Sequence, residues 1–126
     1  MPFKVSKAEF AELVERALEE LPEQFADHLE EMSLEILDRP TPQLLRRARV
    51  KPGNLLLGLY VGRAITRRSV EDSGVMPDVI YIFQEPIQEV CRDAAGLVRQ
   101  VRVTVLHEIG HHFGLDEEDL ERLGYR

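Results

Sequence analysis

Near the end of the chain, the segment VTVLHEIGHHFGLDEEDL (residues 103–120) combines a helical pattern with the spacing of a metal site. His107 and His111 are four residues apart, so one turn of an α-helix places both side chains on the same face. Two neutral imidazole nitrogens at this spacing can hold one zinc ion. Glu108 lies beside such a metal, where a general base would take a proton from zinc-bound water. The segment therefore predicts a helix that carries a catalytic zinc centre.

A glycine after the motif indicates where a third ligand comes from. Gly114 stands three residues after His111 and can adopt the positive φ that ends a helix and reverses the chain. The acidic run that follows brings a carboxylate close to the histidines. Glu117 is the expected third ligand if Asp116 caps the next short helix, and Asp116 is the alternative if Glu117 points outward. Two histidines and one carboxylate leave one zinc position open for water, so we expect one catalytic Zn²⁺ per chain.

The rest of the chain alternates helical and strand patterns. Ser6 and Glu9 form a capping box, and apolar residues then recur at helical spacing. Pro86 cannot donate to a sheet, so the strand before it either ends there or lies at an edge. The predicted elements are helices over 7–21 and 22–32, strands over 33–40, 55–66 and 79–86, a helical turn over 43–50, a loop over 66–77, a return to helical pattern from about 87, and the motif helix from about 96 to 113. This order indicates an α+β domain: N-terminal helices, a small mixed sheet, and the motif helix near the C-terminus.

Two features bear on how these elements pack. Gly58 and Gly62 fall on one face of the strand LLLGLYVGRAIT, where glycines often mark a close approach by another backbone. We expect a helix to pack over them; the alternative is an extended peptide lying alongside. The motif helix has a buried side made of valine, leucine and isoleucine, which would hold its ligands in place. These residues are Val98, Val101, Val105, Leu106 and Ile109.

Length and composition exclude several classes of protein. A chain of 126 residues is expected to form a single domain spanning 1–126. The net charge of −7 argues against a nucleic-acid partner. Cys91 is the single cysteine, so no internal disulfide forms. No apolar run reaches the length of a membrane span and no signal peptide is recognisable, so we expect no membrane partner and a cytoplasmic protein.

The segment VLHEIGHHFGLDEEDLERLGY resembles the C-terminal signature of the minimal zincin-like metallopeptidase family of bacteria, and LLGLYVGRAITRRS and PDVIYIFQEPI are similar to its upstream strands. The resemblance covers most of residues 54–125. It implies a compact zincin-like fold, with a single zincin-like metallopeptidase domain over 1–126. Family members often carry aspartate at the position of Glu117. The resemblance also implies roles for three residues: His107 and His111 as zinc ligands and Glu108 as the catalytic acid/base.

The predicted activity is zinc-dependent hydrolysis of a peptide or protein substrate, and the oligomeric state stays open. One alternative is a catalytically weak or inactive zincin-like module that binds proteins. Another is a small metal-dependent nuclease of the HxxxHxxGxxH type, although Glu108 and the missing third histidine count against it. His112 faces about 100° away from His111, so it is expected to pack rather than ligate. Three tyrosines are candidates for a hydroxyl that stabilises an oxyanion, with packing the favoured role: Tyr60, Tyr81 and Tyr125.

Overall fold

The computed structural model describes residues 2–30, 32–51, 53–62, 78–112 and 117–122, and within these ranges it leaves out the side chains of Gln24, His28, His111, His112, Glu117 and Leu120. Helices and strands alternate along the chain. The elements are α1 (Lys7–Glu19), α2 (Glu23–Leu29), β1 (Ser33–Leu37), α3 (Pro42–Ala48), β2 (Gly58–Val61), β3 (Val79–Phe83), α4 (Gln84–Val90), α5 (Ala94–His112) and α6 (Glu117–Arg122). The predicted α+β fold class is confirmed.

The first helix begins at the predicted capping box. Ser6 Oγ accepts a hydrogen bond from the Glu9 N–H at 3.1 Å and donates to the Glu9 carboxylate at 3.2 Å. These bonds satisfy an N–H that the first turn leaves without a helical partner. The second helix starts directly after Pro22, whose carbonyl accepts from the Ala26 N–H at 3.0 Å. It ends at Leu29, three residues earlier than the pattern predicted.

The three strands form the predicted small mixed sheet, in the order β1-β3-β2. β1 runs parallel to β3, and β2 runs antiparallel to β3. Leu34 and Ile36 of β1 pair with Ile80 and Ile82 of β3. Side chains alternate between the two faces of a strand, so these four residues share the face that turns toward the helices. β3 is the central strand and β2 lies at an edge among the described strands.

Several predicted strand boundaries were wrong, and β1 already ends at Leu37 instead of at residue 40. The β2 ladder begins only at Gly58, and Leu55 is 53 % exposed, because an apolar run alone does not decide where pairing starts. β3 ends at Phe83 rather than at Pro86, and helix α4 begins three residues before the predicted change at residue 87. Pro86 is tolerated in α4 because the first turn of a helix needs no N–H from it. The predicted loop over 66–77 lies outside the described residues.

The core lies between the sheet and the two helices that cover it. α1 packs on α5, and α5 packs in turn on β2 and β3. All five residues of the predicted buried side of α5 are buried. Cys91 is also buried, and its thiol donates a weak hydrogen bond to the Gly96 carbonyl at 3.7 Å. No helix in the described ranges is long and apolar enough to cross a membrane. The motif helix α5 thus contacts both α1 and the sheet.

Candidate active site

Helix α5 carries the motif close to its C-terminal end. It runs from Ala94 to His112, two residues earlier at its start than predicted, and it includes the backbone of both motif histidines. The side chains of His107 and Glu108 are half-buried, whereas that of His111 lies outside the described part of the structure. Because His107 and His111 are one helical turn apart, their Cα–Cβ bonds leave the helix on the same face. The helix therefore places the backbones of residues 107 and 111 one turn apart.

The carboxylate of Glu108 is fixed by the backbone of the edge strand. Glu108 Oε1 accepts a hydrogen bond from the Tyr60 N–H at 2.9 Å. The Phe83 N–H donates to the Leu57 carbonyl, so position 57 is hydrogen-bonded to β3. In an antiparallel pair every second residue is bonded to the partner strand, so the N–H of Tyr60 points away from β3. Glu108 thus takes up an outward-facing donor at the edge of the sheet. Sequence reasoning missed this contact, because a backbone N–H has no residue-specific signal.

The edge strand reaches Glu108 because it packs very closely on α5 at Gly58. A Cβ atom added at Gly58 would lie 2.6 Å from Thr104 Cγ2 and 3.0 Å from the Tyr81 carbonyl oxygen. Only glycine fits there without a shift of the helix or the strand. The expectation of helix packing over this glycine is confirmed, and Gly58 itself is buried. The contact sets the distance between β2 and the face of α5 that carries the motif.

A groove opens beside His107 and Glu108. Its volume is about 230 Å³, and it lies between the end of the loop before β2 and one face of α5. The helix residues in its wall recur every three or four positions, so they form one stripe that continues from the motif. Gln100 Nε2 donates to Thr104 Oγ1 at 3.2 Å, so two polar side chains in the wall bond to each other. The lining residues are Leu57, Gly58, Gln100, Val103, Thr104, His107 and Glu108.

Two of the three candidate tyrosines, Tyr60 and Tyr81, lie in the described part of the structure. The Tyr60 hydroxyl donates a hydrogen bond to the Asp78 carboxylate. Burial raises the pKa of this phenol above its ordinary value, and the hydrogen bond to Asp78 and the charge of Asp78 raise the pKa further. Tyr81 stacks on Phe83 with ring centroids 6.3 Å apart, on the sheet face opposite to Ile80 and Ile82. Tyr125 lies outside the described residues.

The predicted third ligands lie at the start of the last helix. Gly114 and Asp116 fall outside the described residues, so the cap at Asp116 and the third ligand stay predictions. α6 begins at Glu117 and contacts α5. Further along, Asp119 forms an ion pair with Arg122. Among the side chains that the structure describes, no three histidine, cysteine or carboxylate groups gather into a metal site.

The sequence profile of the zincin-like metallopeptidase family matches residues 29–125. The chain belongs to this family. The match spans β1 to β3 and the motif helix, whereas α1 and most of α2 precede it. The fold of this family member is similar to that of a conserved hypothetical protein from Thermus thermophilus, with a TM-score of 0.57 and 28 % identity over 86 % of this chain and 94 % of that one. The comparison with curated proteins gave no match.

Proposed function

We propose that this zincin-like metallopeptidase is a zinc-dependent peptidase, with Glu108 as its general base. The observation that carries the proposal is the position of Glu108. Its carboxylate stands next to His107 at an open groove and is held there by the Tyr60 N–H. A general base must be oriented before reaction, and a hydrogen bond from a backbone in a sheet provides a rigid anchor.

The donor set fits zinc. His107 and His111, one turn apart on α5, would supply imidazole nitrogens, and Glu117 or Asp116 would supply the carboxylate. Nitrogen and carboxylate oxygen donors are the ligands of catalytic zinc sites, whereas closed structural sites usually need thiolates. Cys91 is the single cysteine and is buried beside Gly96, away from the groove of the motif. When bound, zinc supplies Lewis acidity, which lowers the pKa of water and polarises a carbonyl.

Glu108 moves the proton in the proposed reaction. One carboxylate oxygen stays bonded to the Tyr60 N–H, while the carboxylate takes a proton from the attacking water. The water oxygen forms a bond to the peptide carbonyl carbon. Glu108 then passes the same proton to the leaving nitrogen as the C–N bond breaks. The products are a carboxylic acid and an amine, and Glu108 returns to its starting ionisation state.

The edge of β2 offers little room for pairing with a substrate backbone. Substrates often extend an exposed sheet edge, and an extended peptide lying alongside this strand was the alternative to helix packing. Of the two outward-facing positions in β2, Gly58 is buried and Tyr60 already donates its N–H to Glu108. The proposed peptidase therefore holds its substrate mainly through side chains beside the motif.

Glu108→Gln tests this proposal. Glutamine keeps an oxygen that accepts from the Tyr60 N–H but cannot take a proton, so zinc content should stay and peptide cleavage should fall by about 10²–10⁴-fold. Glu89→Gln on α4, an exposed carboxylate far from the motif, is the matched control and should cleave like wild type. Cleavage by Glu108→Gln at the wild-type rate would refute the mechanism. A zinc-loaded wild type that cleaves no peptide would favour an inactive protein-binding module.

A further inference from the structure

The groove beside His107 and Glu108 is also lined by residues that have no part in the proposed proton transfer, among them Leu57, Gln100 and Val103. We propose that it selects one uncharged apolar side chain of the substrate, next to the bond that is cleaved, and that Val103 and Leu57 make the selection. This inference rests on the proposed peptidase function, since it names the substrate class of the same site.

The position of the groove supports this role. Gln100, Val103 and Thr104 lie on the stripe of α5 that leads directly to the motif, so a side chain in the groove lies within one or two helical turns of His107. At about 230 Å³ the groove has room for about eight water molecules, which is enough for one aliphatic or aromatic side chain. The close contact between Gly58 and Thr104 closes its floor.

The chemistry of the wall favours an apolar occupant. Val103 and Leu57 present half-buried aliphatic surface to the groove. Gln100 donates to Thr104, so these two polar side chains of the wall already bond to each other. The carboxylate of Glu108 at the inner end repels an acidic side chain. A basic side chain would lose its hydration on entry, whereas an apolar one gains free energy from leaving water.

Because the edge of β2 offers few free backbone groups, the substrate is bound mainly through the side chain in the groove. Gly58 is buried and the Tyr60 N–H is bonded to Glu108, so a peptide gains few backbone hydrogen bonds there. Selectivity must then come from what enters the groove. Val103→Phe would fill the groove, and Val103→Ala would widen it.

The test measures binding rather than turnover. The probes are the peptides Ac-Ala-Ala-Xaa-Ala-NH₂ with Xaa as Leu, Phe, Gly, Lys or Glu, titrated into isotope-labelled protein that carries Glu108→Gln so that the peptides persist. Methyl and amide NMR shifts report the site and the affinity. We expect the Leu peptide to bind about tenfold more tightly than the Gly, Lys and Glu peptides and to shift the methyl signals of Val103 and Leu57.

Three variants in the same background locate the selection. Val103→Phe should lower the affinity for the Leu peptide by about tenfold. The control Val90→Phe, at a 49 % exposed valine on α4, should leave that affinity unchanged. If Val103→Phe fails to fold, Val103→Ala carries the test, because the wider groove should shift preference from Leu toward Phe. Equal binding of all peptides, or equal effects at 103 and 90, would overturn the inference. Selective binding without cleavage by wild type would instead refute the proposed activity.

Discussion

The Tyr60 N–H donates to Glu108 Oε1 across 2.9 Å, although the two residues are 48 positions apart in the sequence. This hydrogen bond ties the edge strand to the motif helix at the residue proposed as the general base. It gives Glu108 a structural role that can be measured apart from catalysis. The bond depends on an acceptor oxygen at position 108 and not on the charge of the side chain.

Glu108→Ala and Glu108→Gln should therefore differ in stability. Alanine leaves the part-buried Tyr60 N–H without its acceptor, which costs about 1–2 kcal/mol, while glutamine retains most of the bond. Urea unfolding in the presence of a chelator measures this difference without a contribution from metal binding. Equal unfolding free energies for the two variants would show that Tyr60 does not anchor residue 108.

Gly58→Ala should separate β2 from α5. The new Cβ would lie 2.6 Å from Thr104 Cγ2, so we expect a loss of about 1–3 kcal/mol in unfolding free energy and a matching loss of cleavage as Glu108 shifts. Thr104→Ser removes Cγ2 but keeps the hydroxyl that accepts from Gln100. The double variant should recover part of the loss, and a double-mutant cycle measures the coupling. Strict additivity would contradict the contact.

Tyr60→Phe should reveal the hydrogen bond to Asp78. Removal of the hydroxyl should cost about 0.5–1.5 kcal/mol at neutral pH. The folded state raises the pKa of this phenol, so its contribution is present below the ordinary tyrosine pKa of about 10 and is lost as the pH rises through the folded-state value. The stability difference between wild type and Tyr60→Phe should therefore shrink above about pH 10. Chemical unfolding at a series of pH values, with absorbance at the phenolate band, follows both effects. A difference that grows with pH would contradict the assignment.

The parts of the fold that were predictable are those where the residue types themselves specify the geometry. Ser6 and Glu9 specify a helix start, and the apolar spacing from Val98 to Ile109 specifies which side of α5 is buried. Gly58 also indicated a close contact, because a Cβ at this position would meet Thr104 Cγ2 of α5 and the carbonyl oxygen of Tyr81.

Other features depend on long-range pairing that the residue types do not encode. The apolar run that begins at Leu55 gave no sign that β2 would start only at Gly58, since pairing with β3 decides that boundary. The anchor of Glu108 is a backbone N–H, which every non-proline residue has. The choice between Glu117 and Asp116 as third ligand stays a prediction, since spacing alone does not fix the direction of a side chain.

Zinc content tests the central claim most directly. Untagged protein, purified without added metal or chelator, is analysed by elemental mass spectrometry beside His107→Ala, His111→Ala and the adjacent control His112→Ala. The account predicts about one zinc per chain in wild type and in His112→Ala, and loss of zinc in the other two variants. The account would be contradicted if wild type held no zinc even after zinc was added. It would also be contradicted if both His107→Ala and His111→Ala kept their zinc.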